Sequence, residues 1–241
     1  ECSRRIVLLA DSEELIDEYT ELCPDLECAL APIPHARDHE SAHGVRKRSD
    51  VLRVCYVGEA RKNKGFDLLP YVIHKILDSN SAKQFEFHVH SFCSEPQSDF
   101  YRRTMAQIDH PAVRLYSDPM NSRDYAAYIA NADVLLLPYT QENYYVQTSG
   151  VFSEGVANGK ITIVSKGTWM ARQLEKYPGG ISFNPGDRED LTSAVLQAGR
   201  QKQELMSDAN KSSLAWKQFH SPSQLLEAVR KSAGGRNRGF A

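Results

Sequence analysis

Residues 148–168, TSGVFSEGVANGKITIVSKGT, contain a complete change of secondary structure. Thr148 and Ser149 can each cap a helix, because a hydroxyl oxygen accepts one of the backbone N–H groups that a first turn leaves unpaired. Val151, Phe152, Gly155 and Val156 then recur at helical spacing, and Gly159 supplies the left-handed residue on which helices stop. KITIVS (160–165) follows, consecutively apolar and rich in β-branched residues, the composition of a strand buried on both faces. One residue is out of keeping. Glu154 lies near the inward face, one turn below the cap, and its charge is tolerable there if hydroxyl donors meet it. A helix start beside such an acceptor can hold a phosphate and a vicinal diol together. The alternative is an acid placed in the first turn to complement the helix dipole.

The same alternation extends in both directions. RIVLLA (5–10), LRVCYV (52–57), FEFHVHSF (85–92), AVRLYS (112–117), DVLLLPY (133–139) and GISFN (180–184) read as strands, with amphipathic helical patterns between them. Apolar strands joined by helices imply a parallel sheet covered on both faces, so the expected class is α/β with a Rossmann-like doubly wound sheet. Residues 35–50, HARDHESAHGVRKRSD, break the rhythm and read as a linker in which His35, His39 and His43 are solvated. The piece before it, 1–34, holds one strand, a helix capped by Ser12 with Leu15, Ile16, Tyr19, Leu22 and Cys23 on one face, and a short second strand ending at APIP (31–34). That is too little to bury a core, so this piece must dock on something. The complete unit is 51–204, and 205–241 is a carboxyl-terminal helical segment. REDLTSAVLQAGRQKQELMSD (188–208) and SPSQLLEAVRKSA (221–233) predict two terminal helices, with GGRNRGFA (234–241) a frayed end.

With 241 residues, net charge −2, 25% charged and 41% hydrophobic residues, the composition is that of an ordinary globular chain and argues against a nucleic-acid binder. The five cysteines are odd in number and lack C-x-x-C spacing, which points to reduced thiols and a cytoplasmic setting. No apolar run reaches the roughly 18 residues of a membrane span. The first residue is Glu1, not methionine, which fits a fragment or a processed product.

In open parallel sheets ligands bind beyond the carboxyl ends of the strands. The loop YVGEARKNKGFDLL (56–69) combines Gly58 and Gly65 with Arg61, Lys62 and Lys64. It suits a phosphate, or it is a solvated turn with surface lysines. Ser91 and Phe92 after one strand, and Leu115, Tyr116 and Ser117 after another, stand where a planar base would bind. Tyr116 and Tyr139 suit that slot or the core equally, and Trp169 either packs near a sugar or covers the core.

Taken in order, these segments resemble the nucleotide-sugar-binding, carboxyl-terminal domain of the GT-B-fold, group 1 retaining glycosyltransferases. Gly58, Lys64 and Gly65 are in register with that family's G-R-x-x-x-x-K-G loop, and ADVLLLPY (132–139) is similar to its strand before the donor loop. SGVFSEGVANGKITIVS (149–165) is similar to its E-A-x-A-x-G-x-P-V-V segment, which places Glu154 at the ribose-holding glutamate and aligns Gly159 and Lys160. Residues 5–34 are similar to the last strand and helix of the family's amino-terminal domain, with ADSE (10–13) and P-x-P (32–34) flanking the linker.

The resemblance implies a nucleoside-diphosphate-sugar donor and no cofactor or metal, and the sequence has no D-x-D. Arg61 and Lys64 would be catalytic, stabilising the departing diphosphate. Gly58, Gly65, Ser91, Leu115, Tyr116, Tyr139, Ser149, Gly150, Val151 and Glu154 would bind the donor. The partner implied is a glycan, lipid-linked or protein acceptor bound by an amino-terminal domain missing from this chain, in the cytoplasm or, for a longer protein, at a membrane surface. Three departures bear on this. The arginine expected after the first glycine is Glu59, leaving Arg61 to supply a guanidinium. The glutamate expected eight positions before Glu154 is Val146, so Glu142 compensates or the sugar contact is lost. Thr148 and Ser149 replace the usual phenylalanine and glycine, making Ser149 and the Gly150 amide the candidates for phosphate or sugar. A non-catalytic nucleotide-sugar-binding or interaction module is the alternative.

Overall fold

The computed structural model describes residues 6–34, 50–92, 94 and 99–232. The expectations made for Cys2, Cys93, the three linker histidines and 234–241 lie outside the described residues, as does all of the 35–50 linker except Asp50.

The first piece forms strand β1 (Val7–Ala10), helix α1 (Glu13–Leu22) and strand β2 (Glu27–Leu30). β1 and β2 pair in parallel with each other, from Val7 opposite Glu27 to Ala10 opposite Leu30. The Ser12 hydroxyl caps α1 by accepting from the Leu15 amide at 3.3 Å. The apolar face expected of α1 is only partly covered: Leu15 and Ile16 are half-buried, none of its residues is fully buried, and Leu22 is 75% exposed. A two-stranded sheet has too little area to cover a helix face.

The main sheet consists of β3 (Leu52–Tyr56), β4 (Phe85–His90), β5 (Val113–Tyr116), β6 (Val134–Leu137), β7 (Ile161–Ser165) and β8 (Gly180–Phe183). Its order is β5-β4-β3-β6-β7-β8, and every pair is parallel. All four residues of β6 (VLLL) are buried, as a strand with helices on both faces requires. Leu52, Val54, Tyr56, Phe87, Leu136 and Ile163 pack with α2 (Leu69–Leu77) and α8 (Arg188–Arg200). Cys55, Val57 and Leu135 point the other way, toward Tyr128 and Ile129 of α4 (Ser122–Asn131). Beside them Leu137 and Val164 meet Phe152 and Val156 of α6 (Gly150–Ala157) and Trp169 and Met170 of α7 (Trp169–Lys176). Each such buried side chain is worth about 1.5–3 kcal/mol relative to exposure. The remaining helices are α3 (Asp99–Ala106) and the short α5 (Gln141–Tyr144). Among the described residues, no helix is long and apolar enough to cross a membrane.

The carboxyl-terminal region differs from expectation. The pattern over 188–208 divides at Gln201 into α8 and α9 (Lys202–Phe219), followed by α10 (Pro222–Ser232), giving three helices instead of two. α9 thus runs across the expected segment boundary at 204, and Trp216 packs edge-on against Phe152 and Trp169 at 5.9 and 6.3 Å between centroids. The first piece docks across this region. Ile33 N–H donates to Nδ1 of His220 at 2.9 Å, the Ser12 hydroxyl to the Val146 carbonyl at 3.0 Å, and Glu14 and Glu13 pair with Arg172 and Lys176 of α7.

Strand order reverses between β3 and β6, and the two loops leaving these strands are pressed together. Gly65 adopts φ +67°, and a Cβ there would collide with the Pro138 carbonyl oxygen. Gly65→Ala adds backbone strain to an overlap that only separation of the loops relieves, and should cost about 3 kcal/mol or more. Gly186→Ala, at φ +74° but with open space around it, should cost about 1 kcal/mol. Equal midpoints for the two variants in urea unfolding would show that the loops are not in contact.

Candidate functional site

Beyond Tyr56 the chain turns at Gly58, whose φ of +130° favours glycine. The Tyr56 hydroxyl donates to the Glu59 carbonyl at 2.9 Å and the Ala60 amide to the Phe92 carbonyl at 2.9 Å, which ties this loop to its own strand and to the end of β4. Lys62–Lys64 form a single 3-10 turn, and the Thr140 amide donates to the Asn63 carbonyl at 2.9 Å. The expected helix after Gly65 therefore begins later, at Leu69, after a second 3-10 turn at Phe66–Leu68.

This folding brings Lys64 over the end of β6. Its Nζ lies 5.7 Å from the Tyr139 ring centroid. A Cβ at Gly58 would sit 3.5 Å from Lys64 Nζ and 3.8 Å from the Tyr139 hydroxyl, so only hydrogen keeps the space between them open. The Tyr139 ring is buried and its hydroxyl lies beside Ser149, with burial holding it well above the ordinary tyrosine range. Ser149 is the cap of α6, accepting from the Phe152 amide at 3.3 Å, while Thr148 bonds outward to Asp11 at 2.7 Å. Gly150 faces open space. One turn on, Glu154 meets the hydroxyl of Tyr125 from α4. Burial first, then the charge of Glu154 and this hydrogen bond, push Tyr125 far above its ordinary range, and Tyr139 adds to the shift. Lys64, Tyr139, Ser149, Tyr125 and Glu154 are thus a connected group spanning both loops.

The other candidates distribute around this group. Arg61 forms an ion pair with Glu59, so its charge is balanced by the residue standing where the family has arginine. Ser91 is buried and its amide donates to the Tyr116 carbonyl at 2.8 Å, and Leu115 packs against the core. The Tyr116 side chain turns to the α4 face, bonding His88 Nδ1 at 2.9 Å. There it lines a cavity of about 560 Å³ with Arg53, His88, Arg114 and Asp124. Glu142 lines a separate cavity of similar size with Lys62, Asp67 and Gly186. Val151 is half-buried between the clusters around Phe152 and Tyr128. Trp169 is 1% exposed in the core. Lys160 lies at the opposite end of the sheet, donating to the Ala130 carbonyl at 2.6 Å, with burial lowering its pKa. Among the described residues no group of three or more histidine, cysteine or acidic side chains is placed to hold a metal.

Sequence reasoning missed residues on α4 and β4. Tyr125 and Tyr128 stand three apart on α4, a spacing that marks one helix face, but nothing local aims that face at Glu154. His90 ends β4 with both ring nitrogens against carbonyl oxygens, Gly58 at 3.1 Å and Asp118 at 3.0 Å.

A parallel sheet with reversed order, a basic glycine loop and a capped helix carrying a glutamate define a doubly wound α/β domain with its candidate site at the point of reversal. The chain belongs to the glycosyl transferases group 1 family, whose model matches residues 52–200. No curated protein matches it. Among solved structures, a glycosyltransferase from Rickettsia africae superposes with a TM-score of 0.75 at 11% identity, covering 95% of this chain and 64% of that one. The α,α-trehalose-phosphate synthase (UDP-forming) from Burkholderia xenovorans, in complex with glucose-6-phosphate, gives 0.73 at 13%, covering 95% and 60%. Sucrose-phosphate synthase from Thermosynechococcus elongatus gives 0.66 at 17%, covering 92% and 56%. The fold is that of the GT-B glycosyltransferases, and the chain spans less than two thirds of the length of these proteins.

The buried polar group beside the site has a measurable consequence. Burial, then the nearby Arg53 charge, pushes the His88 pKa down to about 4. An unfolded histidine takes up its proton near pH 6.5, so acid favours the unfolded chain. Stability should fall as pH drops from about 6.5 toward about 4 and stop falling from this cause below that. His88→Gln should flatten that part of the profile in thermal unfolding. An unchanged slope would rule out a neutral buried His88.

Proposed function

We propose that this chain is the donor-binding half of a retaining, metal-independent glycosyltransferase. It would move a sugar from a nucleoside diphosphate to a glycan, lipid-linked or protein acceptor held by another domain. The observation that carries this reading is the meeting of the β3 and β6 loops where strand order reverses, with Lys64 and Glu154 joined through Tyr139, Ser149 and Tyr125. A nucleoside diphosphate sugar offers matching groups in sequence: a vicinal diol, two phosphates and a glycosidic oxygen.

In this reading Glu154 accepts from both ribose hydroxyls, which a carboxylate can do at once. The Tyr125 hydroxyl orients it. The open first turn of α6 at Gly150 and the ammonium of Lys64 meet the diphosphate. As the glycosidic bond breaks, negative charge gathers on the departing phosphate while the sugar becomes cationic. Lys64 and the α6 amino end are already in position, and losing one such fixed donor commonly costs ~3–4 kcal/mol of barrier stabilisation. Fixed cations would supply the charge that a metal supplies elsewhere. Arg61 contributes once phosphate displaces Glu59 from it. Family membership supports retention of configuration. The first piece is read as the last strand and helix of an acceptor-binding domain, supported by its separate sheet and its contacts at Thr148 and α7 beside the crevice. The free thiols of Cys23, Cys28 and Cys55 suit a cytoplasmic setting.

Lys64→Ala should weaken binding of nucleoside diphosphates at least tenfold by calorimetry, and unchanged affinity would remove the phosphate assignment. The unmutated chain should prefer ribo- over 2′,3′-dideoxynucleotides by about tenfold, a preference abolished in Glu154→Gln. Equal affinity for both sugars in the unmutated chain would refute the ribose assignment. In a longer protein carrying an acceptor domain, sugar transfer should retain the donor's anomeric configuration. Donor binding without transfer or hydrolysis there would assign the chain to a non-catalytic binding module.

A further inference from the structure

His90 is buried, 8% exposed, with its ring stacked beside Phe92. Both partners of its ring are backbone carbonyl oxygens, which only accept: Gly58 at Nδ1, 3.1 Å, and Asp118 at Nε2, 3.0 Å. A neutral imidazole carries one N–H and one lone pair, so it satisfies one of these carbonyls and turns its lone pair against the other. Only the imidazolium donates to both. The two carbonyls belong to different loops, one opening the glycine turn after β3 and the other lying between β5 and α4.

We propose that His90 is a positioning residue of the donor site: as an imidazolium it ties the Gly58 carbonyl to the Asp118 carbonyl and sets the two loops as one unit. This rests on the donor-site reading above. In a trans peptide the C=O and the following N–H point in opposite directions. Holding the Gly58 carbonyl toward β4 therefore aims the Glu59 amide away from His90. Gly58 itself, with φ +130° and no Cβ, leaves space before Lys64 and Tyr139. The bond to Asp118 sets the loop that follows Leu115 and Tyr116, on the base side of the crevice. The ring also brings a fixed positive charge behind the phosphate loop. The charged and titratable groups on the surrounding elements are Glu59, Arg61, Lys62, Lys64 and Asp67 from the β3 loop, Glu86 and His88 on β4, Arg114, Tyr116 and Asp118 from β5 and its loop, and Arg123, Asp124, Tyr125 and Tyr128 on α4. Of these, Arg61 and Glu59 are paired with each other.

The test combines ring protonation with nucleotide affinity. In the ¹⁵N-labelled unmutated chain at about pH 6, below the ordinary histidine value of about 6.5, both His90 ring nitrogens should carry slowly exchanging protons. One unprotonated ring nitrogen would overturn the proposal. His90→Gln, whose amide has one donating end, should bind uridine or guanosine diphosphate roughly tenfold more weakly at that pH. The gap should close as pH rises and the unmutated ring loses its second proton. Comparing the two proteins at each pH cancels titration of the phosphate itself. Equal affinities and equal pH profiles would refute the positioning role, whatever the ring's charge. If neither protein binds any nucleoside diphosphate while both ring protons are present, the donor-site reading fails and the positioning role with it, leaving only a charged structural tie. His90→Asn repeats the affinity comparison if the glutamine variant fails to fold, and the ring measurement needs no variant.

Discussion

The contact of Gly65 with the Pro138 carbonyl governs the geometry of the candidate site. It is a backbone-on-backbone approach with no room for a Cβ, at the point where the sheet changes direction. With the Thr140 amide bonded to the Asn63 carbonyl, it converts two loops that leave neighbouring strands into one rigid ledge. Lys64 hangs over Tyr139 because of this, and Ser149 and the start of α6 follow from where Tyr139 sits. Side chains on independent loops would have to be ordered by a ligand at the cost of their conformational entropy. Here much of that ordering is complete within the fold.

A second constraint is electrostatic. Lys64, the positive end of α6, Glu154 and the Arg61–Glu59 pair gather at the carboxyl edge of a sheet whose flanks are apolar. In such surroundings charges interact more strongly than in water, so each partner matters. The balance of Arg61 by Glu59 leaves Lys64 as the cation that stands over Tyr139 at the end of β6. Tyr125 has a comparable part on the opposite side, keeping a hydroxyl on the one carboxylate that faces the crevice from α6.

The first piece shows how a fragment too small for a core is held. Among the described residues β1 and β2 pair only with each other, and α1 keeps its apolar face largely uncovered. What fixes them is a set of polar contacts to the main domain, Ser12 to Val146, Asp11 to Thr148 and the two ion pairs to α7, together with the Ile33 amide on His220 and the Ile33 side chain against the cluster around Phe152 and Trp216. Exposed ion pairs contribute little individually. Such a junction suits domains that shift relative to each other better than a continuous hydrophobic interface would.

Much of the architecture was written locally. The seven principal strand segments, the Ser12 and Ser149 caps and the glycine stop of α6 followed from hydrophobic period and turn chemistry, since backbone preferences act over a few residues. So did the loops that carry Lys64 and Glu154, which a parallel sheet must present at its carboxyl edge. Other features depended on which elements meet in space. Tyr116 points to the α4 face and not the crevice because the strand pleat and the His88 imidazole set its direction. The division of the helix at Gln201, the burial of Trp216 against α6, the Tyr125–Glu154 bond and the two carbonyls around His90 all join residues distant in the chain. The sequence by itself determined a doubly wound α/β domain with a basic glycine loop and a capped helix bearing an acid. Only the tertiary structure decided that these meet through Tyr139, Ser149 and Tyr125, and which aromatic and histidine side chains brace them, because packing, not periodicity, chooses a side chain's neighbours.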